Sequence, residues 1–280
     1  MEGAFAREMS LGLAIVILAA AAATATLLLT AVRRLGRRLL LVEATRGTPA
    51  VAVAGTSFVV LLAFVTVVAL QTYRGAQLGA QSEAVAVLTM FRTAGLLSAA
   101  DRDELRSDFI CYARAVEKQE WPAMRRGESS DIVDHWIQAY RQSLDTLRLG
   151  SSRDRTGLQE LLAEARDRTA GRQARLSDAT PSVPITLWLA LLLAGCVAVL
   201  LQLAMADARE PLLVQGVLVA GVATVATSGL LLVYYLDHPF SGHTGTIAPK
   251  AIHRTLVTME AQSPKLRLSC DRDGVQLDGR

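Results

Sequence analysis

The sequence predicts an all-α membrane protein with four transmembrane helices and a helical, water-facing domain inserted between the second and third. Three observations predict it. Hydrophobic residues make up 51% of the 280, and the mean hydropathy is +0.33, a balance that soluble domains reach only with long apolar runs. Four runs carry no Asp, Glu, Lys or Arg: Leu11 to Val32, Ala50 to Leu70, Val183 to Ala206 and Pro211 to Leu236. Each exceeds the roughly 18 apolar residues of a spanning helix and, at ~1.5 Å per residue, can cross a ~30 Å hydrocarbon core. Between the second and third runs the chain turns polar, with sixteen basic and sixteen acidic residues from Gln71 to Val183.

The chain therefore divides into residues 1–70 (two spans and an arginine-rich loop), 71–182 (helical domain), 183–236 (two spans) and 237–280 (C-terminal tail). The first span is a retained helix and not a signal peptide. Glu2 and Glu8 stand beside Arg7 before it, and Arg33, Arg34, Arg37 and Arg38 follow it as a stop-transfer pattern. Ser10 can cap the first span. Thr48 and Pro49 open the second, Pro184 the third and Pro211 the fourth, because proline fits a first turn whose N–H has no intrahelical partner. In the fourth span Gly216, Ala220, Thr224 and Ser228 recur every fourth residue and predict a packing seam. Gln202 and Gln215 are expected at the cytoplasmic interface.

Orientation follows from arginine. The short loop after the first span holds Arg33, Arg34, Arg37, Arg38 and Arg46 against Glu43 alone, and such loops stay cytoplasmic. The amino terminus, residues 71–182 and the tail are then extracytoplasmic. Arg168, Arg172 and Arg175, near the third span on the outer side, run against this reading, and the 207–210 loop supplies a single arginine.

In the domain, Leu105, Phe109, Tyr112 and Val116 mark one apolar helix face, with Ser98 and Asp101 as its cap. Val133, Ile137, Tyr140, Leu144 and Leu147 mark a second, and Leu158, Leu161, Leu162 and Ala165 a weaker third. Only Gly75 and Gly79 interrupt the chain from the second span to about Leu97, so one long helix is expected there. The balanced charge argues against a nucleic-acid surface.

No catalytic constellation is evident: there is no phosphate-cradling loop, GxSxG, HExxH or paired-cysteine signature. No enzyme activity, cofactor or metal is expected. His238 and His243 near Asp237 are too few for a metal site. Cys196 lies in the third span. Cys111 and Cys270 could pair across an oxidising space or remain two thiols; a mobile polar tail around Cys270 favours the thiols.

Four stretches carry a resemblance: Glu83 opening EAVAVL, YARAV from Tyr112, Glu120-Trp121-Pro122, and LDHPFSG from Leu236 to Gly242. In this order, over roughly residues 10 to 260, they resemble the bestrophin-like family of bacterial membrane proteins. His238 stands where the usual motif has arginine. Three lysines against 26 arginines also suit a GC-rich bacterial genome. The resemblance to bestrophins implies a pentameric anion channel whose pore is lined by the second span. Pro239, Phe240 and Gly242 look like the bestrophin segment after the last span, without its calcium-binding acidic run. Bestrophins keep the domain between spans two and three in the cytoplasm, opposite to the arginine reading.

The motifs also have plain physical readings. Trp121-Pro122 is expected to end a domain helix, since a residue before proline is pushed out of the helical region. Glu120 can cap or pair with an arginine such as Arg125. Asp237 sits at the membrane interface, Pro239 stops the fourth helix and Gly242 permits a tight turn. Together they fix helix ends and dock the tail on the domain, the alternative being a direct ligand role.

Two function classes follow: an oligomeric anion channel, or a non-conducting sensor or scaffold whose domain binds a partner. For a pore along the second span, the candidates are Phe58, Phe64, Thr56, Ser57 and Thr66, with Arg46 and Arg74 at the mouths. Phe58 and Phe64 differ in direction by about 120° at ~3.6 residues per turn, so both cannot face one axis. Phe64 is the better hydrophobic constriction. The expected partners are the bilayer and further copies of the chain.

Overall fold

The computed structural model describes residues 11–35, 44–205, 210–242 and 246–277, and among them helices dominate and no strand is formed. Helix α1 is Leu11–Leu35, α2 Ala44–Thr93, α3 Ala99–Ala115, α4 Trp121–Met124, α5 Asp131–Asp145, α6 Ser152–Ser177, α7 Ile185–Ala204, α8 Leu212–Asp237 and α9 Lys250–Gln262. A 3₁₀ turn, Ala94–Leu96, follows α2, and a π-helical turn, Val116–Glu120, joins α3 to α4. The described residues form two units, one within Met1–Thr72 and Pro181–His238, the other within Tyr73–Thr180, Pro239–Gly242 and Thr246–Arg280. Most of the C-terminal tail thus belongs to the second unit.

The first unit contains α1, the first half of α2, α7 and α8. Helices α1, α2, α7 and α8 are each long and apolar enough to cross a membrane. Only 11% to 28% of their most apolar stretches is buried within the chain. Leu11, Ile15 and Leu27 of α1, Leu189 and Leu193 of α7, and Leu213 and Val225 of α8 are all exposed, which suits a lipid solvent and not water. Two small clusters hold the helices together. Ala25 and Leu29 of α1 meet Val219 and Ala223 of α8 and Leu203 of α7. Phe58, Val65 and Ala69 of α2 meet Leu191 of α7 and Val233 of α8.

The small-residue seam of α8 is rotated from expectation. Gly216 is buried near Thr26, but Ser228 is exposed and bonds back to the Val225 carbonyl. A strict four-residue step drifts around a helix of ~3.6 residues per turn, so the buried line passes through Val219 and Ala223 instead. Gln215 is buried, and its amide donates to Glu210 at 2.9 Å. Asp237, fully buried at the end of α8, accepts from the backbone N–H groups of Ser182 (2.8 Å) and Val183 (3.0 Å) just before α7. One carboxylate at the end of α8 thereby satisfies donors that lead into α7.

The second unit has one apolar core. Leu105, Phe109, Tyr112 and Val116 enter it, as do Val133, Ile137, Tyr140 and Leu144. They pack on Ala76, Ala80, Ala84, Val87 and Phe91 of α2 and on Ile252, Leu256 and Met259 of α9. Ser98 caps α3 through the N–H of Asp101. A reciprocal Ser151–Asp154 capping box opens α6. The α6 stripe differs from expectation: Leu161 is buried but Leu162 is exposed, and the inward face continues as Arg168, Gly171 and Arg175.

The tail is docked by its own contacts. Cys111 of α3 and Cys270 are joined in a disulfide with 5.7 Å between their Cα atoms, which replaces the favoured reading of two free thiols. The premise of a mobile tail fails because the segment is tied down on both sides of Cys270. Ser269 N–H donates to Ser107 Oγ at 3.0 Å, Trp136 donates its indole N–H to the Gly274 carbonyl at 2.7 Å, and Arg114 spans Glu260 and the Asp271 carbonyl. Gly274 turns at φ +77°, a conformation that side chains disfavour.

Candidate functional site

The family-motif residues of the second unit converge on one buried charge cluster, and two glycines make this possible. A Cβ at Gly79 of α2 would lie 2.8 Å from the backbone N of Arg175. One at Gly171 of α6 would lie 2.6 Å from the backbone N of Glu83. Without side chains there, α2 and α6 approach backbone to backbone, and Glu83 meets Arg175. The glycines that the sequence presents as interruptions are points of close contact.

Arg175, fully buried, donates through Nε to Glu83 Oε2 at 2.6 Å and through Nη2 to Glu83 Oε1 at 2.9 Å. The same Nη2 lies 2.5 Å from Glu120 Oε2. Arg172 holds the other side of Glu120, 2.5 Å from Oε1, and reaches Asp134 at 2.7 Å. Tyr112 donates its hydroxyl to Glu83 Oε1 at 2.5 Å. Arg168, 2% exposed, lies over the rings of Tyr112 and Tyr140 (5.4 and 5.3 Å) and donates to the Tyr140 hydroxyl. Arg175 also lies 5.1 Å from the Trp121 ring.

Burial alone would raise the Glu120 carboxyl. The charges and hydrogen bonds of Arg175 and Arg172 outweigh it and hold the group below the usual carboxylate range. Burial works against the Arg172 and Arg175 guanidiniums too, yet Glu120, and for Arg175 also Glu83, keep them more firmly protonated than free arginine. Burial, then the neighbouring Glu83 charge, pushes the Tyr112 phenol well up, so it remains a donor. The cluster holds fixed charges and no nucleophile. Its chemistry is that of a clamp joining α2, α3, the π turn and α6.

Expected partners change accordingly. Glu120 pairs with Arg172 and Arg175, and Arg125 instead lies beside Gly242, whose φ is +86°. Trp121-Pro122 does not end a helix: Trp121 keeps helical angles (φ −59°, ψ −45°). The π turn before it accommodates the proline ring by widening the helix. The tail motif docks on the same residues. Phe240 packs edge-on to Trp121 at 5.5 Å, and Trp121 Nε1 donates to the Ile247 carbonyl at 3.1 Å. The Ile247 N–H in turn donates to the Pro239 carbonyl at 2.8 Å.

The pore candidates of α2 separate. Phe58 is buried in the first unit, where a Cβ at Gly195 would touch its ring at 3.3 Å. It packs inside the chain and is removed from the lining. Phe64 is 62% exposed and borders a shallow groove with Thr56, Ser57, Val60 and Leu61. Thr66 spends its hydroxyl on the Leu62 carbonyl at 2.7 Å. Arg74, in the second unit, is exposed; the side chain of Arg46 lies outside the described residues, as does the loop carrying Arg37 and Arg38. His243 also lies outside them, while the His238 ring stacks on Tyr234 at 4.2 Å.

A family model described as the Bestrophin-like domain matches residues 15–246. This chain belongs to the bestrophin-like family. The bestrophin-like fold is also seen in solved structures. A bacterial bestrophin homologue from Klebsiella pneumoniae is 15% identical, with TM-score 0.65 over 89% of this chain and 98% of its own. A variant of that homologue is 14% identical, with TM-score 0.67 over 89% and 98%. A crystal structure described as a membrane protein is 14% identical, with TM-score 0.67 over 89% and 99%. No curated protein matches the sequence.

Sequence reasoning singled out Glu83, Tyr112, Glu120 and Trp121 but missed their arginine partners. The signal was present: Arg168, Arg172 and Arg175 share one face of a helix whose earlier turns offer Gly157 and Leu161. Glu83 stands within a largely apolar stretch whose nearest basic residues, Arg74 and Arg92, are each nine positions away.

Proposed function

We propose that this bestrophin-like chain assembles into a homo-oligomeric ring that conducts anions across a cell membrane, with the spanning half of α2 along the axis. One observation carries the reading. Val53, Ser57, Val60, Phe64, Val67 and Gln71 are exposed on one face of α2, while Phe58, Val65 and Ala69 are buried on another. That alternating spacing of four and three is the spacing of a seam or an axis. The exposed face is not purely lipid-like, because the Thr56 and Ser57 hydroxyls lie on it. Hydroxyls in hydrocarbon need partners, and a neighbouring subunit or a hydrated axis provides them. Arg74, exposed at the end of this stretch, favours anions. Family membership and the fold likeness support the same reading.

The proposal extends to orientation: four passes, with residues 71–182 extracytoplasmic. The arginine-rich 33–49 loop and the Cys111–Cys270 disulfide support it together, since disulfides persist in oxidising spaces. The contrary arginines lose weight, because Arg172 and Arg175 are neutralised by Glu120 and Glu83. This is the reverse of the bestrophin arrangement.

A non-conducting sensor or scaffold is the second reading, favoured by the absence of any charged residue from Ala50 to Leu70. Native mass spectrometry of the detergent-extracted full chain separates the two. A closed ring of one defined size supports the channel; a stable monomer contradicts it.

A further inference from the structure

We infer that the second unit binds a small zwitterion, with one ammonium and one carboxylate group, in the cleft between α3, α5 and the C-terminal segment. The inference is independent of the channel reading. Glu104 and Asp108 lie one turn apart on α3 and line this cleft. Asp108 is 6% exposed. The two carboxylates converge on one hydroxyl: Ser143 Oγ of α5 is 3.0 Å from Asp108 Oδ2 and 3.4 Å from Glu104 Oε1. It also lies 3.2 Å from the Ala139 carbonyl.

With Asp108 ionised, three acceptors compete for the one hydrogen of this hydroxyl. Neither carboxylate forms an ion pair among the described residues, and Oδ1 of Asp108 has no donor among them. Burial, followed by the repulsion from Glu104, pushes Asp108 up to about 7 against the opposing Ser143 hydrogen bond. The wall is short of a positive donor, and the Asp108 carboxyl, on a side chain largely withdrawn from solvent, borders the space where one would sit.

The opposite wall supplies the second half of the argument. Lys265 and Arg267 line the same cleft and also form no ion pair among the described residues. Charges of both signs thus border one space without meeting. A bare cation held by Glu104 and Asp108 would be repelled by the two bases, and a bare anion by the two acids. A molecule carrying both charges satisfies both walls, and Gln142 on the cleft lining adds a neutral donor and acceptor.

The test is titration calorimetry of the full chain in lipid nanodiscs near neutral pH, with δ-aminovalerate, pentylamine and valerate as probes. The zwitterion should give saturable heat and bind at least about tenfold more tightly than either half-probe. Asp108→Asn should weaken it by about tenfold or more, with helical content and the disulfide unchanged. Lys265→Gln with Arg267→Gln, both at exposed positions that leave the fold intact, should weaken it similarly. Absence of saturable heat overturns the site. Equal binding of pentylamine, or no effect of the Lys265 and Arg267 changes, overturns its zwitterion character.

Discussion

Arg175 Nη2 and Glu120 Oε2 stand 2.5 Å apart, with neither side chain exposed to solvent. Glu83 completes the arrangement from the other side of the same guanidinium. Removing one member of a buried ion pair leaves the rest charged and unsolvated, a cost of about 3–5 kcal/mol. Arg175→Met should therefore lower the unfolding free energy of the protein by that order. Adding Glu120→Gln to it should recover part of the loss. Chemical denaturation followed by tryptophan fluorescence measures both; purely additive losses would show that the residues act separately.

The four spans were legible in the sequence because lipid imposes one requirement, a long uncharged run, that composition alone records. The Leu105 and Val133 stripes were legible for a similar reason, since both helices bury ordinary apolar faces. Helix α6 was legible only as a weak stripe around Leu161, because the rest of its inward face is built from arginine and glycine, residue types that periodicity assigns to solvent. Glu83 and Arg175 are 92 residues apart, and the Gly79–Gly171 contact that joins them has no local signature. The π turn ahead of Pro122 was hidden likewise, since proline ordinarily announces a helix end.

The disulfide makes a countable prediction. Denatured, unreduced protein should show one free thiol, that of Cys196, and reduced protein all three cysteines. Cys270→Ser should lower stability by about 2–5 kcal/mol, because the bond closes a long loop of the unfolded chain. Thiol titration with and without reductant checks the first, and thermal melts the second. An unchanged thiol count on reduction contradicts the bond.

Asp108 gives the protein a distinctive pH dependence. Glu104 and Asp103 face the cleft beside it on α3, His135 and Ser143 from α5, and Lys265 and Arg267 from the tail. Folded, the Asp108 carboxyl keeps its proton to about 7; unfolded, it loses it near 3.8. Between these values the folded state binds the extra proton, so stability should fall as pH rises and level off above about 7. The change is bounded by about 1.4 kcal/mol per pH unit and should flatten in Asp108→Asn. Melting curves across the window test it, and an identical slope in the variant would assign the effect elsewhere.

Orientation is open to labelling. With the native cysteines replaced, Gly36→Cys and Gly150→Cys should differ toward a membrane-impermeant maleimide in intact cells. Position 150 should react and position 36 should not. The reverse pattern would place the domain in the cytoplasm and overturn the arginine argument.

The central claim is conduction along α2. Purified protein in planar bilayers under a chloride gradient tests it most directly. The account predicts discrete current steps with a reversal potential on the chloride side. Phe64→Ala should raise the open fraction by removing an exposed apolar ring from the axis, while Phe58→Leu, inside the helix packing, should leave it unchanged. Silent bilayers containing correctly assembled protein, or chloride steps indifferent to Phe64→Ala, would contradict the account.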